Sequence, residues 1–182
     1  MMILGVDPSL SATGIALVGM NERGKSEICI AKTMPDHSKL DLLPRIFEIS
    51  NEVRMIIQTA GPKVGFAVAI EHNVQVVYRD NRGVKRNKSP KSLLGQANLI
   101  GAIADAAMAM IGPEHVHLVN PSSAKLALTG HGAANKHTMI RYAATRTSWA
   151  PPKTERAQEA EADAIGVAFA GFRPYRQMTA AL

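Results

Sequence analysis

Residues 1–18 read MMILGVDPSLSATGIALV, and this stretch decides the fold. The apolar run Met1 to Val6 stops at the turn signal Asp7-Pro8, and a second apolar run covers Gly14 to Val18. This pattern predicts a strand, a polar loop and a second strand. Ser26 to Ala31 predicts a third strand, so the chain is expected to open as an antiparallel meander.

The rest of the chain alternates between helical and strand patterns. Helix starts are marked by the cap-then-proline pairs Ser89-Pro90 and Asn120-Pro121, and Gly112 marks a helix end. We predict strands over 66–70 and 116–119, and helices over 42–60, 90–111, 121–128, 135–146 and 155–170. Strands first, then strands alternating with helices, indicate an α/β or α+β fold with a mixed sheet.

Composition indicates one globular domain over residues 1–182. The chain is 46% hydrophobic and 20% charged, and a chain of this length buries a core without metal or disulfide support. Cys29 is the single cysteine, which excludes an intramolecular disulfide and a multi-cysteine zinc site. The opening apolar run lacks a basic leader, so we expect neither a signal peptide nor a membrane anchor, and a cytoplasmic location.

The positive charge is concentrated in one segment. The formal net charge is +6, and six basic residues against Asp80 alone leave residues 79–91 at +5: Arg79, Arg82, Lys85, Arg86, Lys88 and Lys91. We predict a basic loop or hairpin at about 78–90 that contacts nucleic-acid phosphates; a solvated charge run is the alternative. Tyr78 is a candidate for stacking on an unpaired base, or it packs against the sheet.

Three carboxylates are candidate ligands of a site at the edge of the predicted sheet. Asp7 and Glu71 follow two predicted strands, and Asp163 lies among small residues of the last predicted helix. Carboxylates from separate elements suit Mg²⁺ or Mn²⁺ and not zinc. A turn aspartate and scattered surface acids remain the alternatives.

Two lysines outside the basic segment are candidate phosphate contacts. Lys125 is in the short helix after Asn120-Pro121, and Lys136 follows the glycine-bearing turn at 130–134. Solvated lysines are the alternative in both cases, and spacing does not separate the two interpretations.

The order of these motifs resembles the RuvC family of Holliday junction resolvases, in the ribonuclease H-like superfamily. The resemblance runs from Ile3 to about Phe169 and rests on five segments: Leu4 to Ser9 with Thr13-Gly14, Ala69 to Glu71, Leu94 to Ala97, Lys125 with Thr129 to Ala133 and Lys136, and Glu161 to Ala164. It implies a ribonuclease H-like fold with a central mixed five-stranded sheet flanked by helices.

The resemblance also implies an activity. It points to a homodimeric crossover junction endodeoxyribonuclease that depends on Mg²⁺ or Mn²⁺ and nicks two strands of a four-way DNA junction symmetrically. Asp7, Glu71 and Asp163 are then the metal ligands. In two-metal phosphodiester hydrolysis a nearby cation must offset the phosphate charge, and Lys136 is expected in that role, with Lys125 along the DNA.

Three departures from the family pattern are visible. Ala160 stands where an acidic residue or histidine is common, and Glu159, four residues before Asp163, is the expected fourth metal ligand. No aromatic residue directly follows Glu71, so Tyr78 is expected to take the wedge role in the junction. The long segment between Glu71 and Gly95 suggests a divergent, bacteriophage-type member that also cuts other branched DNA.

Three other functions fit parts of the pattern. A ribonuclease H-like nuclease that processes RNA also begins with a strand ending in aspartate and a glycine turn. A non-catalytic junction-binding protein fits the loss of an acid at Ala160. An actin-like kinase or ATPase shares the first turn, but 182 residues leave little room for a second nucleotide-binding lobe.

Overall fold

A mixed five-stranded sheet forms the centre of the computed structural model. The structure describes residues 1–20, 26–34, 39–60, 65–72, 77–79, 85–87 and 89–172, with 77–79 and 85–87 described through their backbone alone. The strands are β1 (Met2–Asp7), β2 (Gly14–Met20), β3 (Ser26–Thr33), β4 (Phe66–Glu71), β5 (Val77–Arg79), β6 (Lys85–Asn87) and β7 (Val116–Val119). The central sheet has the order β3-β2-β1-β4-β7.

The strand pairing of this sheet confirms the predicted mixed topology. β1 pairs antiparallel with β2, and β2 pairs antiparallel with β3, which is the expected meander. β1 and β4 run parallel, as do β4 and β7. Helices connect the parallel strands, as such crossovers require.

The helices begin and end close to the predicted positions. They are α1 (Leu42–Ala60), α2 (Pro90–Ile111), α3 (Pro121–Thr129), α4 (Lys136–Arg146) and α5 (Glu155–Gly171), with a short 3₁₀ turn at Pro113–His115. The side chains of Ser89, Asn120 and Asn135 each accept a backbone N–H of the first turn that follows. These caps satisfy N–H groups that have no partner within the helix, which is why the cap-then-proline pairs located the starts well.

The helices cover the two faces of the sheet. Leu4 and Val6 of β1 pack in a cluster with α1 and α2, whereas Ile3 packs in a second cluster with α3, α4 and α5. Alternate side chains of a strand point to opposite faces, so a single apolar strand supplies both clusters. The structure therefore has three layers, with β1 buried at its centre.

One described helix, α2, is long and apolar enough to cross a membrane by its length and composition. Its buried residues include Leu99, Ile100 and Ile103, and they pack in the cluster formed with α1 and the sheet. Core helices commonly have this composition when one face packs on a sheet.

The predicted basic loop contains paired strands. β5 and β6 form a separate antiparallel ladder in which Tyr78 is opposite Arg86 and Arg79 is opposite Lys85. The basic segment is therefore a hairpin over its described backbone, and β6 ends just before the Ser89 cap of α2.

Two glycines allow α5 to lie directly on the sheet. A Cβ atom at Gly5 would be 2.2 Å from the Ala164 carbonyl oxygen, and one at Gly14 would be 1.9 Å from the Ala160 carbonyl oxygen. No side chain larger than hydrogen fits at either position unless the helix moves away. Gly5 and Gly14 therefore set the distance between α5 and the strands β1 and β2.

We expect Gly14→Ala to destabilise the protein, because its new methyl group overlaps the α5 backbone. The loss in free energy of unfolding should be about 1–3 kcal/mol or more. The control is Gly101→Ala in the exposed middle of α2, where no atom lies within 4 Å of the added Cβ. That change should stabilise the helix by up to about 1 kcal/mol. Urea unfolding followed by circular dichroism measures both, and equal midpoints for the two variants would contradict this account of the packing.

Candidate active site

Asp7 and Glu71 lie together because their strands are parallel neighbours. Asp7 is the last residue of β1 and Glu71 the last of β4, and the register pairs Val6 with Ile70. The two carboxylates therefore leave the same edge of the sheet from adjacent strands. This confirms the expected placement at the carboxyl ends of the central strands.

Asp163 reaches the same place from α5. Ala160 lies against Gly14, and Ala164, one turn further along α5, lies against Gly5. Gly14 is also the residue paired with Asp7 in the β1–β2 ladder. The helix turn that carries Asp163 therefore crosses β1 beside its final residue, and the structure brings all three predicted carboxylates together.

The electrostatics of the three carboxyl groups show how close they are. Burial, then the charges of Glu71 and Asp163, raise the pKa of Asp7 well above its usual range. Burial and the Asp163 charge raise the pKa of Glu71 to about 7. Burial raises the pKa of Asp163 to about 6, and Glu159 adds to that rise. Desolvation and like charges both disfavour the ionised form, so the site favours a bound proton or a bound cation.

Both predicted lysines lie beside these carboxylates. The charge of Lys136 lowers the pKa of Asp7 and of Asp163, and the charge of Lys125 lowers the pKa of Glu71 and of Asp163. Lys125 and Lys136 are on α3 and α4, which pack with α5 on one face of the sheet. The structure thus places both cations close enough to the acidic cluster to stabilise its ionised carboxylates.

Glu159 and Ala160 have different surroundings from each other. The Glu159 carboxylate forms an ion pair with the Lys136 ammonium group, and Glu159 is close enough to raise the pKa of Asp163. Ala160 is buried, and its backbone lies against Gly14 of β2. An acidic residue is thus present beside Asp163 one position before Ala160, with its charge already matched by a lysine.

The donor set fits a hard divalent cation. Carboxylate oxygens are the ligands that Mg²⁺ and Mn²⁺ prefer, and a cation would relieve the repulsion that raises these pKa values. In the described parts of the chain, no group of three or more His, Cys, Asp or Glu side chains is already arranged around one point as a metal cage. The backbone thus brings the donors together without gathering their oxygens around one point.

Two structural features near the site were missed by the sequence. Thr13 is buried, its Oγ1 donates to the Ser9 carbonyl at 2.6 Å, and it accepts the Ser9 N–H at 3.1 Å, which holds the loop after Asp7. Glu161 is buried and accepts the Trp149 indole N–H at 2.9 Å and the Thr33 hydroxyl at 3.4 Å. These bonds tie α5 to its neighbours beside Asp163. No sequence spacing indicates the Glu161 bonds, because Glu161 lies 128 positions from Thr33 and 12 from Trp149.

The structure describes only part of the basic segment that the sequence predicts to bind nucleic acid. The backbone of Tyr78, Arg79, Lys85 and Arg86 is in the β5–β6 hairpin, and their side chains lie outside the described structure. Arg82 and Lys88 lie outside the described residues. Their contacts with DNA and the wedge role of Tyr78 stay predictions.

Comparison with known proteins identifies the family. The family model described as crossover junction endodeoxyribonuclease RuvC matches residues 3–170. The chain belongs to the RuvC family. RuvC of Mycobacterium avium (strain 104) is 31% identical over 92% of this chain and 80% of the relative. RuvC of Mycobacterium ulcerans (strain Agy99) is 29% identical over 92% of this chain and 82% of the relative.

Solved RuvC structures share this fold. Thermus thermophilus RuvC in complex with Holliday junction substrate superposes with a TM-score of 0.72 at 21% identity, over 98% of this chain and 97% of that chain. The yeast mitochondrial Holliday junction resolvase Ydc2 gives 0.55 at 12% identity, over 98% and 83%. The α/β, ribonuclease H-like architecture that the resemblance implied is confirmed. Nucleases of the RuvC family generally depend on divalent metal ions.

The raised pKa values predict how metal-free stability changes with pH. A carboxyl group whose pKa is higher in the folded state binds more protons folded than unfolded, so stability falls as pH rises from about 4 to about 7. Asp163→Asn should remove on the order of 1–3 kcal/mol of this loss. Urea unfolding of both proteins between pH 4.5 and 7.5, with a chelator present, measures the difference.

The same variant tests the cation. Mg²⁺ at pH 7.5 should raise the melting temperature of the wild-type protein and raise that of Asp163→Asn much less. Asp105→Asn, an exposed carboxylate on α2, is the matched control and should behave as the wild type does. In the urea experiment, if the free energies of unfolding of the wild type and of Asp163→Asn change with pH in parallel, Asp163 does not interact with the other two carboxyl groups.

Proposed function

We propose that this protein is a structure-selective DNA endonuclease that resolves Holliday junctions by nicking two strands symmetrically. The observation that carries the proposal is the acidic cluster of Asp7, Glu71 and Asp163, desolvated between Lys125 and Lys136 in a chain of the RuvC family. Buried like charges are unfavourable for folding, and a catalytic use of bound cations explains why the fold holds them together.

The carboxylates are the proposed holders of Mg²⁺ or Mn²⁺. Asp7, Glu71 and Asp163 would bind the metal, with Glu159 as the fourth acidic group in place of an acid at Ala160. When bound, divalent ions lower the pKa of an attacking water and stabilise the leaving oxygen of a phosphodiester. The chain's own contribution is to hold several carboxylate oxygens at one edge of the sheet and to exclude water beneath them.

Lys136 is the proposed cation for the reacting phosphate. Its ammonium group is paired with Glu159 and lies close enough to Asp7 and Asp163 to lower both pKa values. If Glu159 helped to hold a metal ion, the Lys136 ammonium group would be free to neutralise a phosphate oxygen at the same place. Lys125, on the Glu71 side, is placed to contact the DNA backbone next to it.

The remaining parts of the proposal concern the substrate and assembly. The β5–β6 hairpin would hold the phosphates of a branched DNA, with Tyr78 against an unpaired base and other branched forms also cut. Two symmetric nicks require two active sites, so a homodimer is proposed. Exposed Leu43, Phe47 and Leu94, between 61% and 72% accessible, supply apolar surface on α1 and α2 that a second copy can bury. We place this activity in the cytoplasm.

Two alternatives are weaker. A nuclease that processes RNA shares the first strand and turn, but the family match covers residues 3–170 and its description names a deoxyribonuclease. A non-catalytic junction-binding protein is suggested only by Ala160, and Glu159 beside Asp163 supplies an acidic residue one position earlier, which weakens that argument.

We expect Asp7→Asn to abolish cleavage of an immobile four-way junction while binding is kept or strengthened. The amide has the shape of the carboxylate but no charge, so it lowers metal binding and the repulsion of phosphates together. Turnover should fall at least about a hundredfold, by an amount typical of the loss of a main electrostatic contribution to catalysis. Denaturing gels measure the nicks, and mobility shifts measure binding.

The control for this test is Asp105→Asn, which changes an exposed carboxylate and should cut as the wild type does. Flap DNA, linear duplex and structured RNA are assayed in parallel. Two nicks at symmetric positions on opposite strands support the homodimer. Preference for RNA, or cleavage that survives Asp7→Asn, would overturn the proposal.

We expect the double variant Lys85→Gln/Arg86→Gln on β6 to weaken junction binding and flatten its dependence on salt. Each lost phosphate contact reduces the slope of log K against log salt by about 0.9. Arg54→Gln/Lys153→Gln is the matched control, because it lowers the formal net charge from +6 to the same +4 at exposed positions. Fluorescence anisotropy at several salt concentrations measures both. If both variants shift the slope equally, net charge and not the hairpin sets the affinity.

A further inference from the structure

A second concave site lies on the α1–α2 side of the sheet. It is a cavity of about 550 Å³, and among its described lining residues are the cations Lys39, Arg45 and Lys91, with Asp41 as the one acidic residue of that described set. Lys39 and Arg45 lie outside the basic segment that the sequence indicated for DNA contact, and Lys91 is the last residue of that segment. Lys39 and Lys91 are exposed, whereas Arg45 is partly buried.

The position of the cavity connects it to both parts of the proposed site. Leu10, which lines one wall, belongs to the loop that follows Asp7. Ser89 lines another wall and caps α2, two residues after the end of the β5–β6 hairpin. The cavity therefore lies between the loop of the acidic site and the base of the basic hairpin.

The charges around the cavity favour an anion. The described lining residues carry three cationic side chains and one carboxylate, and the amino terminus of the 22-residue helix α2 opens at the same place. The first turn of α2 carries no acidic residue that would offset the positive end of the helix. One Arg45 NH2 group donates to the Leu40 carbonyl at 2.6 Å, which fixes the direction of the guanidinium group.

The chemistry of the lining selects among anions. Lysine and arginine offer donors only, and the cavity is open, so it suits a tetrahedral oxyanion that is approached from solvent. The described lining residues include no aromatic side chain, so no stacking surface for a base is present. These features fit the phosphate of a nucleic-acid backbone, contacted independently of sequence.

We propose that this cavity binds a backbone phosphate of one arm of the branched DNA, apart from the reacting phosphate. The proposal rests on the proposed function, since it assigns a further contact to the same substrate. Lys39, in the turn before α1, and Lys91, in the first turn of α2, reach the phosphate, and Arg45 of α1 fixes it. The cavity extends the positive surface from the hairpin toward the loop after Asp7.

The first experiment compares Lys39→Gln/Lys91→Gln with the control Arg54→Gln/Lys153→Gln, which removes the same formal charge elsewhere. Binding of a four-way junction is measured by anisotropy across a salt series. The cavity variant should bind roughly tenfold more weakly, with a salt slope shallower by about 1 to 2, while the control changes little. Its turnover at saturating junction should equal that of the wild type, because the cavity does not touch the reacting phosphate.

The second experiment measures directly whether DNA covers the two lysines of the cavity. Acetylation of lysines, followed by mass spectrometry, is compared with and without junction DNA in the Asp7→Asn background, which leaves the substrate uncut. Lys39 and Lys91 should be protected by DNA, whereas Lys153 should react equally in both states. An acidic protein segment as the true occupant would leave Lys39 and Lys91 unprotected by DNA and would overturn the proposal.

The outcomes separate the two proposals. If the wild type cuts junctions and both double variants bind alike, the cavity proposal is wrong and the proposed function stands. If the wild type neither binds nor cuts junctions, both are wrong. Loss of affinity confined to the cavity variant, together with protection of its two lysines, supports the phosphate site.

Discussion

The close contact between α5 and the sheet is the constraint on which the acidic site depends. Gly5 and Gly14 leave no side chain between the helix backbone and the two strands, and Ala160 and Ala164 are the small residues on the other side. This contact sets how deeply α5 lies and which of its turns passes the end of β1. Asp163 reaches Asp7 because the backbones, and not flexible side chains, are in contact.

That arrangement brings like charges together in a partly dry environment. Desolvation is the largest cause of every raised carboxyl pKa in the cluster, and mutual repulsion adds to it. Lys125 and Lys136 offset part of this unfavourable energy from α3 and α4. The Trp149 and Thr33 bonds to Glu161 secure α5 from outside the cluster, so the helix is held in place while its acidic residues repel one another. Such a site favours the binding of cations.

The basic residues and the acidic cluster lie in different parts of the molecule. The formal +6 is concentrated near the hairpin, so the body that carries the acidic cluster is almost neutral. A uniform positive surface would hold DNA everywhere with little selection of its shape. In the proposed function, a basic hairpin continued by a cationic cavity would favour a substrate that reaches both, with its reacting strand over the carboxylates.

The sequence by itself determined the elements and their order, because caps, prolines and apolar periods act between residues a few positions apart. It also offered Asp7 and Glu71 as carboxylates at the ends of two strands, but the parallel pairing of β1 with β4, which places them at one edge, came from the structure. The three-dimensional structure was needed to show that the Ala160 backbone lies against Gly14, that Glu159 pairs with Lys136, and that Lys39, Arg45 and Lys91 line one cavity. These contacts depend on how each helix is rotated and how closely the layers pack, and many side chains distant in sequence fix those quantities together.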